Sequence, residues 1–145
     1  MVEVTVFQLT EEARNHWFLG SIAGPDCVYR ENDDGKTLVP AELYKPIGNV
    51  EVSETVGVAD EDYAEYVFSS DQFGRYPTLL HKDGERTTSV SDVFAIQRNG
   101  KCRTYFADSI GWTEVEFVAK EDWEKLPPLE KGRLPRNWKK KGEST

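Results

Sequence analysis

Val93-Phe94-Ala95-Ile96-Gln97-Arg98-Asn99-Gly100-Lys101-Cys102-Arg103-Thr104-Tyr105-Phe106-Ala107 reads as two extended runs joined by Asn-Gly. The two-residue turn that matches the twist of paired strands needs positive φ at both central positions, and Asn-Gly adopts it with the least strain. The stretch therefore predicts a β-hairpin. A further run, Trp112 to Val118, follows the turn-forming Asp108-Ser109-Ile110-Gly111 and predicts a third antiparallel strand, completing a C-terminal meander.

The turn also sets the register. Arg98 lies opposite Lys101, Gln97 opposite Cys102 and Ile96 opposite Arg103. Paired residues share a face, so Arg98, Lys101 and Arg103 gather at the hairpin tip, with Phe94, Ile96 and Tyr105 below them. Like charges placed together call for an anion. Glu114 and Glu116 on the following strand are the internal candidates, and a partner's carboxylate or phosphate is the external one.

Upstream, Val2, Val4 and Val6 alternate with Glu3, Thr5 and Phe7, predicting a strand over Val2 to Leu9. Thr10 then reads as an N-cap with Glu11 and Glu12 in the first turn. Ala13 and Trp17 face the core of this short helix, which Gly20 ends. Pro25 to Gly35 reads as an exposed loop around at most a short strand. Thr37 to Tyr44 and Val50 to Val58 read as extended segments separated by a break at Lys45-Pro46-Ile47-Gly48-Asn49. Asp60 reads as the N-cap of a second helix over about 61–72, with Tyr63, Tyr66, Val67 and Phe73 on its apolar face. Arg75 to Glu85 is loop-like, with an Asp83-Gly84 turn.

The expected fold is thus α+β: two short helices and a mostly antiparallel sheet ending in the three-stranded meander, in a single domain over residues 1–125. Charge divides the chain at the same place. Residues 1–125 hold 24 acidic and 12 basic side chains, whereas 126–145 hold 2 and 6, giving −12 and +4 within a net charge of −8. Pro127, Pro128 and Pro135 among Lys131, Arg133, Arg136 and Lys139 to Lys141 predict a basic, disordered tail.

The run Thr88-Ser89-Val90-Ser91-Asp92-Val93, a hairpin, and then Tyr105-Phe106-Ala107-Asp108-Ser109-Ile110-Gly111-Trp112 resembles the core signature of the YodL-like domain family. The likeness is specific over about 88–117 and loose over 60–87. Trp112 stands where the family carries Phe, and Thr88 where it carries an aliphatic residue. The resemblance implies a small domain of phages, plasmids and conjugative elements, in some cases within larger proteins linked to countering host defences. It implies no established activity.

Catalytic and metal chemistry find little in the residues. A nucleophilic serine in Ser89-Val90-Ser91-Asp92 needs a base, and only His16 and His81 exist, with no Gly-x-Ser-x-Gly elbow. Asp108 beside Ser109 reads as turn chemistry. Glu31-Asn32-Asp33-Asp34-Gly35 lacks the twelve-residue calcium pattern and its closing Glu, and Cys27 and Cys102 read as two free thiols. No phosphate-binding glycine loop is present, and no cofactor is expected.

Nothing approaches the roughly 20 apolar residues of a spanning helix, and Met1 to Val4 lacks the opening of a signal peptide, so a cytoplasmic protein without membrane contact is expected. The reading that results is a non-enzymatic module that binds an unidentified protein partner through Arg98, Lys101 and Arg103, with Trp138 and Lys139 of the tail contributing. Two alternatives stay open. One is an acidic DNA mimic acting in anti-restriction, built on Glu54, Asp60, Glu61, Asp62 and Glu65; the other is an accessory protein making weak nucleic-acid contact through its tail.

Overall fold

A computed structural model describes residues 1–14, 28–76, 80, 88, 90–108, 111–127, 129 and 134–140. Among these the chain runs β1 (Val2–Leu9), α1 (Glu11–Arg14), β2 (Arg30–Glu31), β3 (Thr37–Pro40), β4 (Tyr44–Val52), α2 (Asp60–Gln72), β5 (Val93–Arg98), β6 (Lys101–Ala107), β7 (Gly111–Val118), α3 (Lys120–Glu124) and β8 (Trp138–Lys140), with 3-10 turns at Ala41–Leu43 and Glu54–Val56. The strands form one mixed, mostly antiparallel sheet in the order β2-β3-β7-β6-β5-β1-β4. The fold class is α+β.

The β5–β6 pairing has the expected register, Arg98 with Lys101 and Ile96 with Arg103, and the turn has φ of 53° at Asn99 and 73° at Gly100. β6 pairs antiparallel with β7, from Thr104 with Val115 to Ala107 with Trp112. The central strands are buried on both faces, because a layer lies on each side. On one, α2 closes over Val4, Val6, Phe94, Ile96, Tyr105 and Trp112. On the other, Ala13 of α1 and Trp123 of α3 join Val28, Tyr29, Val39, Val93 and Phe106.

Several expectations change. The break at residues 45–49 is instead the interior of β4, which runs unbroken against β1. Val6 pairs with Gly48 and Phe7 with Pro46, so Ile47 is an inserted residue at a bulge, and it is buried. β4 is the edge strand, where a proline's missing N–H breaks no ladder. The extended reading of residues 50–58 holds only to Val52; a 3-10 turn follows. The loop expected over 25–35 carries core: Val28 and Tyr29 are buried, and Trp123 donates its indole N–H to the Val28 carbonyl at 2.6 Å. α3 was not expected. Its Trp123 lies under the Arg30 guanidinium at 3.9 Å. Thr10 does cap α1, accepting from the Ala13 N–H at 3.2 Å. Asn15, His16, Trp17, Gly20, Cys27, His81 and the Asp83-Gly84 turn lie outside the described residues.

α2 buries Asp60, Tyr63, Ala64, Val67 and Asp71, a stripe at helical spacing. Phe73, expected on that stripe, is the residue just beyond the helix and 91% exposed, and Tyr66 sits half-buried at the rim. Asp60 does not cap the helix either. Ala59 holds that position, and the Asp62 carboxylate reaches back to the Val58 and Ala59 N–H groups, each at 2.9 Å.

The disordered tail is the largest correction. Residues 134–140 fold onto the sheet: β8 pairs with β7, Trp138 opposite Thr113, Lys139 opposite Trp112 and Lys140 opposite Gly111. Leu129 is 7% exposed within the second core layer. Composition misled here because the segment supplies no core of its own, but it docks onto one already formed. Truncation after Lys125 is therefore expected to destabilise the chain by about 3 kcal/mol or more, through the emptied Leu129 site and the polar partners left behind in β7 and β2. Chemical denaturation of the truncated and full chains measures it.

Candidate functional site

The hairpin tip meets the start of α2. Asp60, in the first turn of the helix and 5% exposed, receives Arg98 Nε on Oδ1 at 2.6 Å, and the Tyr105 hydroxyl on Oδ2 at 2.8 Å. Arg103 Nη1 stands 3.5 Å from Oδ2. Sequence reasoning offered Glu114 and Glu116, or a partner's group, as the anion. The carboxylate that Arg98 bonds is Asp60, 38 residues away on the helix layer, while Glu114, opposite Tyr105, feels the charge of Arg103.

Arg98 is fully committed. Its Nη2 donates to the Val58 carbonyl at 2.7 Å, and its guanidinium lies 5.0 Å from the Tyr63 ring, whose hydroxyl donates to the Glu54 and Gly57 carbonyls. Burial pulls its pKa down, but the hydrogen bond and charge of Asp60 outweigh that and leave it raised. Tyr105 is held protonated well above the ordinary phenol range, first by burial and then by its bond to Asp60. Lys101 and Arg103 are exposed, and Lys101 forms no ion pair with the described residues. With Asp60, Arg98 and Asn99 they line a cleft of about 300 Å³.

The other two expected partner-binding residues, Trp138 and Lys139, lie apart from the tip along β7. Trp138 donates its indole N–H to Asp108 Oδ2 at 2.7 Å, and Lys139 Nζ lies 3.0 Å from Glu61. Their side chains hold the tail in place. The acidic cluster is engaged as well: Glu54 with the N-terminal amine, Asp60 with Arg98, Glu61 with Lys139, Asp62 with the start of α2, and Glu65 with Ser69 and the Trp112 indole. It does not stand as a row of free phosphate-like charges.

Ser91 and Asp92 are buried at the entry to β5. Ser91 has φ of 76°, donates its N–H to the Ala107 carbonyl at 2.7 Å and accepts the Tyr44 hydroxyl at 2.7 Å; Asp92 accepts from Gln8 Nε2 at 3.2 Å. The motif thus knots β1, β4 and β6 to the start of β5. Asp108 accepts the Gly111 N–H at 2.5 Å, as a turn carboxylate does. Asn32 closes the acidic loop by accepting the Asp34 and Lys36 N–H groups. No group of three or more metal-ligating side chains occurs among the described residues, and Cys102 is an exposed free thiol. Ser89, Ser109 and Ile110 lie outside them.

Asp60→Asn is expected to cost about 3 kcal/mol, since it removes the buried carboxylate that two guanidinium groups and the Tyr105 hydroxyl share. Denaturant unfolding of the variant measures it. Glu114 gives a pH test. Burial, then Asp60, Glu61 and Glu116, raise its pKa against the opposing charge of Arg103. A carboxyl raised on folding is stabilising only while protonated, so its contribution fades as pH climbs from the ordinary carboxylate range through the raised value. Glu114→Gln should therefore leave stability at pH 4 nearly unchanged and increase it at pH 7, in paired melts at the two pH values.

No family model, no curated protein and no solved structure matches the chain.

Proposed function

We propose that this chain is a non-enzymatic protein-interaction module of a mobile genetic element, acting in counter-defence in the cytoplasm, and that it grips an acidic group of its protein partner at the β5–β6 hairpin tip. One observation carries the reading. Arg98 and Arg103 share the buried Asp60 carboxylate, and Lys101, which forms no ion pair among the described residues, faces the open cleft that all three line. In a chain of net charge −8 this is a local field of the opposite sign, which orients an acidic partner during encounter. The mobile-element setting rests on the YodL-like signature over residues 88–117 alone. No described helix is long and apolar enough to cross a membrane.

The test is Lys101→Gln with Arg103→Gln, leaving Arg98 in place because it clamps the helix. Exposed pairs are worth about 0.2–1 kcal/mol, so stability should hold within that range. Affinity capture of the tagged protein from its native cell should recover a partner with the wild-type chain, with recovery falling as salt rises, and lose it with the double variant. Equal recovery by both chains would remove the tip from the mechanism.

A further inference from the structure

One edge of β7 is shared by two strands laid end to end. Its C-terminal half, Val115 to Val118, pairs parallel with β3, and its N-terminal half, Gly111 to Thr113, pairs antiparallel with β8. Without residues 134–140 that second half would be a bare strand edge, a template for any extended segment.

The edge is also shaped for this segment. Asn137 spans the junction, donating to the Glu114 carbonyl at 2.7 Å while its Oδ1 accepts the Thr37 hydroxyl at 3.1 Å. Trp138 reaches Asp108, and a Cβ on Gly111 would overlap its ring, so the bare glycine makes the slot for the indole. Glu31, its side chain 3% exposed, accepts the Arg136 N–H at 2.8 Å and lies 3.6 Å from Arg136 Nε. Glu61, its side chain 12% exposed, takes Lys139 on the α2 side. Carboxylates from β2, α2 and the β6–β7 turn thus read a sequence of the form Arg-Asn-Trp-Lys, each at a different side chain.

We propose that this half-edge of β7 is a strand-recognition groove that also accepts the C-terminal segment of a second copy of this chain, forming a strand-exchanged dimer. Charge complementarity selects that occupant. The groove is acidic and the segment basic, within a body of −12 and a tail of +4, and every copy carries both halves of the contact. Exchange keeps each pairing and gives up only the tether, whose effective concentration is of millimolar order, so the closed monomer dominates in dilute solution and exchange grows with protein concentration. The inference is independent of the hairpin tip.

The probe is a fluorescent peptide of residues 134–140 titrated against the full-length chain. The wild-type chain binds it weakly, because its own strand competes. The Trp138→Ala chain, whose strand has lost its main anchor, binds it at least about tenfold more tightly, and a peptide carrying the same substitution binds neither chain. Should Trp138→Ala unfold the protein, Lys139→Gln, which removes the ion pair with Glu61 without adding a charge, takes its place. In the second arm two differently tagged wild-type copies are mixed near 1 mM, a level of the order of the tether's effective concentration, then diluted and co-purified; shared recovery is expected, and its loss when both copies carry the substitution. A folded variant that ignores the peptide would overturn the groove. Copies that never co-purify, despite peptide binding, would overturn the dimer.

Discussion

A single carboxylate joins the two layers on which the rest of the structure depends. Asp60 leaves the first turn of α2, enters the space between helix and sheet, and there meets the hydroxyl of Tyr105 and the guanidinium groups of Arg98 and Arg103. An ion placed there unpaired would cost several kcal/mol, and an arginine on the inward face of a strand would cost as much. Each makes the other tolerable. The helix cannot slide along the sheet without breaking the set, so the phase of its buried stripe, Tyr63, Ala64 and Val67 over Phe94 and Trp112, follows from where Asp60 must sit.

The adjacent residue extends the clamp in another direction. Glu61 points to Lys139 of β8 while Asp60 points to the hairpin, so two consecutive carboxylates tie one helix end to strands three places apart in sequence order. The N-terminus of a helix favours negative charge in any case, which lowers the cost of placing both there. Acidic side chains that look like a repulsive cluster in the sequence are, in the fold, the counterions of the basic segments that arrive later in the chain.

What the sequence disclosed was what is local. Asn99-Gly100 specified a turn, and a turn of known length specifies a register, so the Arg98–Lys101 and Ile96–Arg103 pairings could be read without the rest of the protein. The Val2–Leu9 alternation was legible for the same reason, since period alone reveals a face, and so were Tyr63 and Val67 of the second helix, though not the phase that leaves Phe73 outside it. Pro46 and Gly48 could not be read correctly, because they are strand breakers everywhere except at a bulged edge, and being an edge is a property of the whole sheet. Asp60 lies 38 residues from Arg98 and 43 from Arg103, and Glu31 lies 105 from Arg136, and no local pattern records that they meet.

The tail shows where composition fails as a guide. A segment rich in Pro, Lys and Arg cannot build a core, and from that it is natural to expect disorder. Yet folding onto a finished surface needs only a few anchors and complementary charge, because the surface has already met most of the ordering cost. Leu129, Arg136, Asn137 and Trp138 are such anchors. The same division separates the two basic regions of the molecule. Two cations of the tail, Arg136 and Lys139, are paired with Glu31 and Glu61, whereas at the hairpin Arg98 and Arg103 share Asp60 and Lys101 forms no ion pair among the described residues. Among the described residues, the tail's Arg136 and Lys139 thus spend their charge on holding the segment to the sheet, and the hairpin's Arg98 spends its charge on holding the helix, so these basic side chains, which look free in the sequence, act inside the fold.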